Sequence, residues 1–291
     1  MPERATTGTT SRTVAIQGER GSFSHAAVLE LLGTDWMPQP HPTFDGAFQA
    51  VASGKAERGL IPFENSLAGS VHENYDRLSA SPLHIIGETQ LRIRQCLIAR
   101  PGSTLAVIRR VASHPVALAQ CRKFFAEHPG VEAIATYDTA GSVMDLLRDG
   151  PATQAAIGPA LAASLYGGQI LLESIEDDPE NYTRFLLLAR EAVQADKASK
   201  TSIVFTTKNV PGALHQALGA FASRGADLAK IESRPLKGRP WEYSFYLDVL
   251  GDPGGAVADA IEELRAVAHE VRILGSYPAA AGITGNGGRG R

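Results

Sequence analysis

Between residues 13 and 168, short apolar runs alternate with segments whose apolar side chains recur at helical spacing, and few folds accept that order. Strand and helix in repeated succession bury their apolar faces by laying helices against a largely parallel sheet, so an α/β architecture is expected. "TVAIQG" (13–18) reads as a strand and "SFSHAAVLELLG" (22–33) as a helix ended by glycine. "TFDGAFQAVASG" (43–54) repeats the helical pattern, with Phe44, Ala47, Phe48 and Val51 on one face. "RGLIPFEN" (58–65) is then a short strand running into a turn.

"LHIIGETQLRIRQCLIAR" (83–100) breaks the rhythm: it is rich in β-formers over a length that can pass between two lobes. After it come strand 108–114, helix 115–128, strand 131–138, helix 140–150, strand 154–158 and helix 159–167. Segments 169–175 and 182–190 read as the chain returning to the first lobe. The expected catalytic or binding unit is therefore 12–190, with lobe 1 about 12–88 plus 170–190 and lobe 2 about 89–169. Two such lobes leave a cleft, a common place for a small ligand.

The polar stretch 191–199 is expected to be a linker. Residues 200–280 follow the order β-α-β-β-α-β, the ferredoxin-like plan, in a unit large enough to fold by itself. The glycine-rich end, 281–291, is expected to be disordered.

Composition removes several classes of function. A net charge of −3 with scattered basic residues gives no bulk positive surface for nucleic acid. The two cysteines, Cys96 and Cys121, are too few for a disulfide framework and match no zinc spacing; a buried thiol is expected for each. The eight histidines are dispersed, so no metal is expected. No stretch is long and apolar enough for a membrane span. The start, "MPERATTGTTSRT", lacks the apolar core of a secretion signal, and a cytoplasmic protein is expected.

Several junctions between strand and helix share one chemistry. "GERGSFS" puts Gly21, Ser22 and Ser24 at a helix start; "IPFENSLAGSV" offers Glu64, Asn65 and Ser66. "ASHP" gives Ser113 as an N-cap with Pro115 in the first turn, and "YDTAGSV" gives Asp138 or Thr139. Each reads as a cap alone or as a cap that also meets a ligand through its N–H donors. Several around one cleft would suit a small carboxylate. "NYTRFLLLAR" (181–190) adds a hydroxyl and a guanidinium, Thr183 and Arg184, to the mouth of an apolar strand. Arg184 reads either as a carboxylate anchor or as the partner of Glu173, Glu176, Asp177 or Asp178. His114 reads as an acid or base, or as a structural side chain. "GERG" is neither the dinucleotide fingerprint nor a phosphate-binding loop, and no Gly-x-Ser-x-Gly elbow occurs.

On "GERGSFS", "IPFENSLAGSV", "SHPVALAQC", "DTAGSV" and "NYTRF", in that order, the chain resembles the prephenate dehydratase family from about residue 13 to 278. "VPGAL" and "IESRP" resemble the family's regulatory ACT domain. The resemblance implies a two-lobed, periplasmic-binding-protein-like catalytic domain followed by a ferredoxin-like ACT domain. It implies decarboxylating dehydration of prephenate to phenylpyruvate, a step toward phenylalanine, with no cofactor. Only a dozen residues precede the first predicted strand, so chemistry of one kind is expected.

By the same resemblance Thr183 is the catalytic residue, hydrogen-bonding or protonating the departing oxygen. Arg184 anchors a carboxylate or braces the cleft, and Phe185 packs behind the pair. Asn65, Ser66, Ser113, Thr139, Ala140 and Gly141 are expected to bind the remaining oxygens, and Glu64 to accept hydrogen bonds from backbone or Arg184. Val116 stands where the family usually has Gln. Asn209, Gly212, Ala213, Leu214, Glu232, Ser233 and Arg234 are the implied effector site for phenylalanine, with His215 at a position more often apolar. Glu232 and Arg234 suit an ammonium, a domain–domain contact, or an ordinary ion pair. Pairing between ACT domains implies a homodimer or homotetramer. Two other functions fit the same residues: an arogenate dehydratase, and a binding protein that senses an amino acid without catalysis.

Overall fold

A computed structural model of the chain describes residues 12–193, 197–236 and 238–280. The first lobe runs β1 (Thr13–Gln17), α1 (Phe23–Leu32), β2 (Met37–His41), α2 (Phe44–Ala52), β3 (Arg58–Asn65), β4 (Gly69–Ser70), α3 (His72–Ala80) and β5 (His84–Arg92). The second lobe holds β6 (Cys96–Ala99), β7 (Arg110–Ser113), α4 (Pro115–Ala119), α5 (Arg122–Glu127), β8 (Glu132–Ala135), α6 (Thr139–Asp149), β9 (Gln154–Gly158), α7 (Ala160–Tyr166) and β10 (Gln169–Leu172). The chain then returns as β11 (Tyr182–Ala189). It ends in a third unit of β12 (Lys200–Thr206), α8 (Ala213–Ala222), β13 (Asp227–Pro235), β14 (Tyr243–Leu250), α9 (Gly255–Val267) and β15 (Glu270–Tyr277). Part of the expected linker (194–196) and the expected disordered tail (281–291) lie outside the described residues. No helix among the described residues is long and apolar enough to cross a membrane.

The first sheet has the order β2-β1-β3-β11-β5, with β4 on β3. β11 runs antiparallel to both β3 and β5, which explains its composition: a strand with two partners and two covered faces is apolar throughout, and Phe185–Ala189 are all buried. The second sheet has the order β10-β6-β9-β7-β8. Segment 83–100 does join the lobes, as β5 in the first sheet and β6 in the second.

Two elements depart from expectation, and β2 has no counterpart in it. β2, "MPQPH", carries two prolines, which argue against a strand; it survives as the sheet's edge, pairing only with β1. The expected helix 115–128 is two helices, because the Asp177 carboxylate accepts the N–H groups of Arg122 (3.0 Å) and Lys123 (2.8 Å) and so caps a second start. Residues 169–172 do not return to the first lobe. Gly167, left-handed at φ 77°, reverses the chain after α7 and lays β10 antiparallel to β6, so the return begins with β11.

The third unit is an antiparallel sheet of order β13-β14-β12-β15, the ferredoxin-like plan. One face packs α8 and α9 through Ile203, Phe205, Phe221, Leu247, Val249 and Ile261. The other face lies on lobe 1: Val204, Tyr246, Leu274 and Tyr277 share one apolar cluster with Phe48, Phe63, Leu78 and Leu186. β15 approaches β5 so closely that a Cβ on Gly275 would stand 1.9 Å from the Ile85 carbonyl oxygen.

Candidate active site

Between the lobes lies a cleft of about 350 Å³. Two glycines of "GERG" let its walls meet. Gly18 is left-handed at φ 91°, and a Cβ there would sit 2.7 Å from Asp138 Oδ2 of lobe 2. Gly21, at φ 86°, would place a Cβ 3.0 Å from the Ala162 Cα. Tyr166 donates its hydroxyl to the Arg20 carbonyl across the same seam, at 2.7 Å. Asp138 caps α6, accepting the Gly141 N–H at 2.6 Å. Burial pushes its carboxyl above the ordinary range, against the pull of the Gly141, Glu19 and Ala140 N–H groups and His114.

The hydroxyl of Thr183 and the amide of Asn65 face this cleft from neighbouring strands, in the paired register Thr183↔Asn65. Asn65 Oδ1 accepts the N–H groups of Leu67 (3.0 Å) and Ala68 (2.8 Å), which fixes the amide's orientation. Its Nδ2 then shares its two protons among Asn181 Oδ1 (2.7 Å), Thr183 Oγ1 (3.1 Å) and the Tyr182 carbonyl (3.2 Å). The Thr183 oxygen is thus an acceptor, and its own proton is free for the cleft. Phe185, two residues along the same strand face, lines the cleft from behind and packs on Val14, Ile16 and Leu60.

Arg184 does not anchor a ligand there. Successive side chains of a strand point to opposite faces, so the residue between Thr183 and Phe185 is turned to the other side of the sheet. Its Nε donates to Glu88 Oε2 at 2.7 Å, its Nη1 lies 2.6 Å from Asp248 Oδ2, and its Nη2 donates to the Tyr277 hydroxyl at 3.2 Å. Burial works against its charge, but Asp248, Tyr277 and Glu88 outweigh that and hold it above the ordinary arginine range. None of the acids between 173 and 178 is its partner. Glu64 also faces away from the cleft, taking its short contact from Lys230 Nζ (2.9 Å), with Arg184 Nη1 at 3.9 Å.

The other expected oxygen-binders divide. Thr139, at the start of α6, lines the cleft. Ala140 and Gly141 are buried behind it, and a Cβ at Gly141 would strike the Tyr137 ring. Ser113 is fully buried and gives its hydroxyl to the Ile157 carbonyl at 2.7 Å, so it cannot serve a ligand. The cap of α4 is instead His114, whose Nδ1 accepts the Val116 N–H at 3.3 Å. His114 and Val116 both line the cleft. Ser66 staples β3 to β11 by donating to the Glu180 carbonyl (2.7 Å) and accepting the Tyr182 N–H (2.9 Å).

Sequence reasoning missed a set of amides on the cleft wall: Gln17 at the end of β1, Gln95 at the crossing, and Gln120 between α4 and α5. Their signal was position, each at a strand or helix end next to a motif already singled out. No Lys or Arg lines the cleft among the described residues, and Asp138 is its one acid. Positive potential comes from the N-terminal ends of α1 and α6. Both cysteines are buried, and burial pushes the Cys121 thiol up to about 12, which leaves it unreactive.

In the third unit Gly212 is left-handed at φ 83° and starts α8, with Asn209 exposed beside it. Ala213 opens the helix and Leu214 packs against the unit's core, while His215 is exposed. Glu232 and Arg234 are committed to lobe 1. Glu232 accepts from Ser70 Oγ (2.6 Å) and lies 3.2 Å from His72, and Arg234 forks onto Asp76 at 3.1 Å twice. Ser233, between them, is exposed on the opposite face.

The prephenate dehydratase family pattern matches residues 14–193, and the ACT domain pattern matches 201–269. Arogenate dehydratase/prephenate dehydratase 2 of Arabidopsis thaliana is 41% identical over 91% of this chain and 72% of its own. A prephenate dehydratase from Arthrobacter aurescens, solved in complex with L-Phe, is 36% identical with a TM-score of 0.84, covering 91% of this chain and 89% of its own. A quorum-quenching acylase, GqqA, is 37% identical with a TM-score of 0.85 over 92% of this chain and 98% of its own.

Proposed function

The chain belongs to the prephenate dehydratase family, and from that premise we propose that it converts prephenate to phenylpyruvate with Thr183 at the bond that breaks. The substrate's ring carboxylate leaves as carbon dioxide, and the electron pair of that carbon–carbon bond enters the ring. The opposite carbon–oxygen bond then breaks, and the departing oxygen takes up a proton to leave as water. Aromatisation supplies the driving force, so the protein's work is alignment and help for the leaving oxygen. Thr183 is suited to this because Asn65 Nδ2 occupies its oxygen at 3.1 Å, leaving the O–H to point at the substrate. That contact is the observation that carries the proposal. The amides of Gln17, Gln95 and Gln120 and the ends of α1 and α6 supply donors for the carboxylates. Production of phenylpyruvate from prephenate by the purified protein tests the reading, and an inert protein overturns it.

Arogenate is the second reading. Among the described residues the cleft has no lining Lys or Arg and one lining acid, so an ammonium in place of the keto group meets no fixed like charge. Comparison of kcat/KM on the two substrates decides between them. An acylase needs an activated nucleophile, and among the described residues no cleft hydroxyl is hydrogen-bonded to an imidazole ring. A binding protein without catalysis could give the same hydroxyl proton to a bound ligand, so formation of phenylpyruvate by the purified protein is what decides against it.

We extend the proposal to regulation by phenylalanine bound at the third unit, with the 209–214 turn as its seat, in a homodimer or homotetramer. Dehydratase rates with and without phenylalanine, and light scattering on the eluted protein, test these two points.

A further inference from the structure

The cleft and the third unit are joined by two pairs of adjacent residues. Thr183 and Asn65 face the ligand, and their immediate neighbours Arg184 and Glu64 are register partners on the reverse face of the sheet. There they meet Asp248 and Lys230, which are themselves register partners on β14 and β13. Arg184 Nη1 stands 2.6 Å from Asp248, and Lys230 Nζ stands 2.9 Å from Glu64. Glu88 joins the group, taking Lys200 at 2.5 Å and Arg184 at 2.7 Å, and Glu232 lies 3.7 Å from Lys230. Ser202 donates to Asp248 at 2.5 Å and shares a 2.6 Å contact with the Tyr277 hydroxyl.

From this geometry we infer that Arg184 and Glu64 are positioning residues through which the third unit sets the aim of Thr183 and Asn65. The inference rests on the dehydratase reading and deepens it by naming how regulation reaches that site. Arg184 and Asp248 are both buried, so a shift of β14 that parted them is costlier than a shift that carries Arg184 along. Consecutive Cα atoms are held about 3.8 Å apart by a planar peptide, so displacement of Arg184 displaces Thr183. Lys230 sits on β13, the strand that follows α8, whose first turn is the seat proposed for the effector. A small movement there has a charged grip on both strands that hold the reacting groups.

The test is made on the full chain with Asp248→Asn and Lys230→Met, each also combined with Thr183→Ala. The expected result is a fall in kcat of about tenfold with KM changed less than about twofold, and phenylalanine affinity by calorimetry kept within about threefold. The effect of bound phenylalanine on kcat should shrink at least about fivefold. In the Thr183→Ala background the same substitutions should cost less than about twofold, because the group they aim is gone. A general loosening of the protein would lower activity equally in both backgrounds, and that result overturns the inference. So does a wild-type kcat and full phenylalanine response in both variants. Lys230→Met, at a partly open position, keeps the test decisive if Asp248→Asn does not fold. A wild-type chain inert on prephenate and arogenate overturns the dehydratase reading, whereas an active wild type with unaffected variants overturns this inference alone.

Discussion

Thr183 is a weak acid in water, and its surroundings decide whether it is useful. The Asn65 amide occupies its oxygen and directs its proton, which makes it a fixed donor. Thr183→Ala should lower kcat by about two to three orders of magnitude with little change in KM, as loss of one preorganised donor does elsewhere. Thr183→Ser keeps the donor but loses the stiff β-branched rotamer, and a loss of about tenfold or less in kcat is expected in the same assay. Asp138 gives a prediction in pH. Burial raises its carboxyl above 3.8, so its charged form is penalised in the folded protein. Its contribution favours folding below the ordinary carboxylate range and fades as pH rises through the raised value. Asp138→Asn removes that dependence: its melting temperature relative to wild type should be more favourable at pH 7 than near pH 4, and the reverse trend would contradict the assigned cause.

At the scale of elements, the apolar run of β11 and the β-α-β-β-α-β order were legible because period and length alone specify them. What escaped was set by distant partners. The break between α4 and α5 is made by Asp177, and β2 holds its prolines only because one edge is left unpaired. Arg184 faces away from the cleft for a local reason: a strand cannot aim three consecutive side chains at one cavity. Serine is the commoner capping residue, so the sequence points to Ser113, yet the imidazole one position on fills that role. Backbone approach between elements is invisible in sequence, and Gly275 shows its force. Gly275→Ala must push β15 from the Ile85 carbonyl, and should destabilise the protein by about 1–3 kcal/mol or more in denaturant titration.

As a whole molecule, the protein has two units in sequence and one apolar cluster that runs through both. Val204, Tyr246, Leu274 and Tyr277 complete an apolar cluster begun by Phe48, Phe63 and Leu78, so the first 193 residues alone would expose that face. Such a fragment should melt at least about 10 °C below the full chain and bind a hydrophobic dye. The two lobes, by contrast, are joined by a narrow waist. The chain crosses twice, and Ile93 N–H to the Asn181 carbonyl (2.7 Å), Ile175 N–H to the Gln95 carbonyl (2.9 Å) and Gln95 N–H to Glu176 (2.8 Å) bind the crossings side by side.

Among the described residues, each hydrogen bond from the third unit to the rest of the chain ends on lobe 1: on Glu64, Ser70, Tyr75, Asp76, Ser79, Leu83, Glu88 or Arg184. Among the described residues lobe 2 is tethered at its waist and its seam, with no hydrogen bond to the third unit, and it is placed to act as a door. If the third unit sets the aim of Thr183, letting substrate through and timing the bond-breaking event fall to opposite ends of the molecule. Small-angle scattering should record the door closing when substrate arrives, to the same extent whether or not phenylalanine occupies the far end.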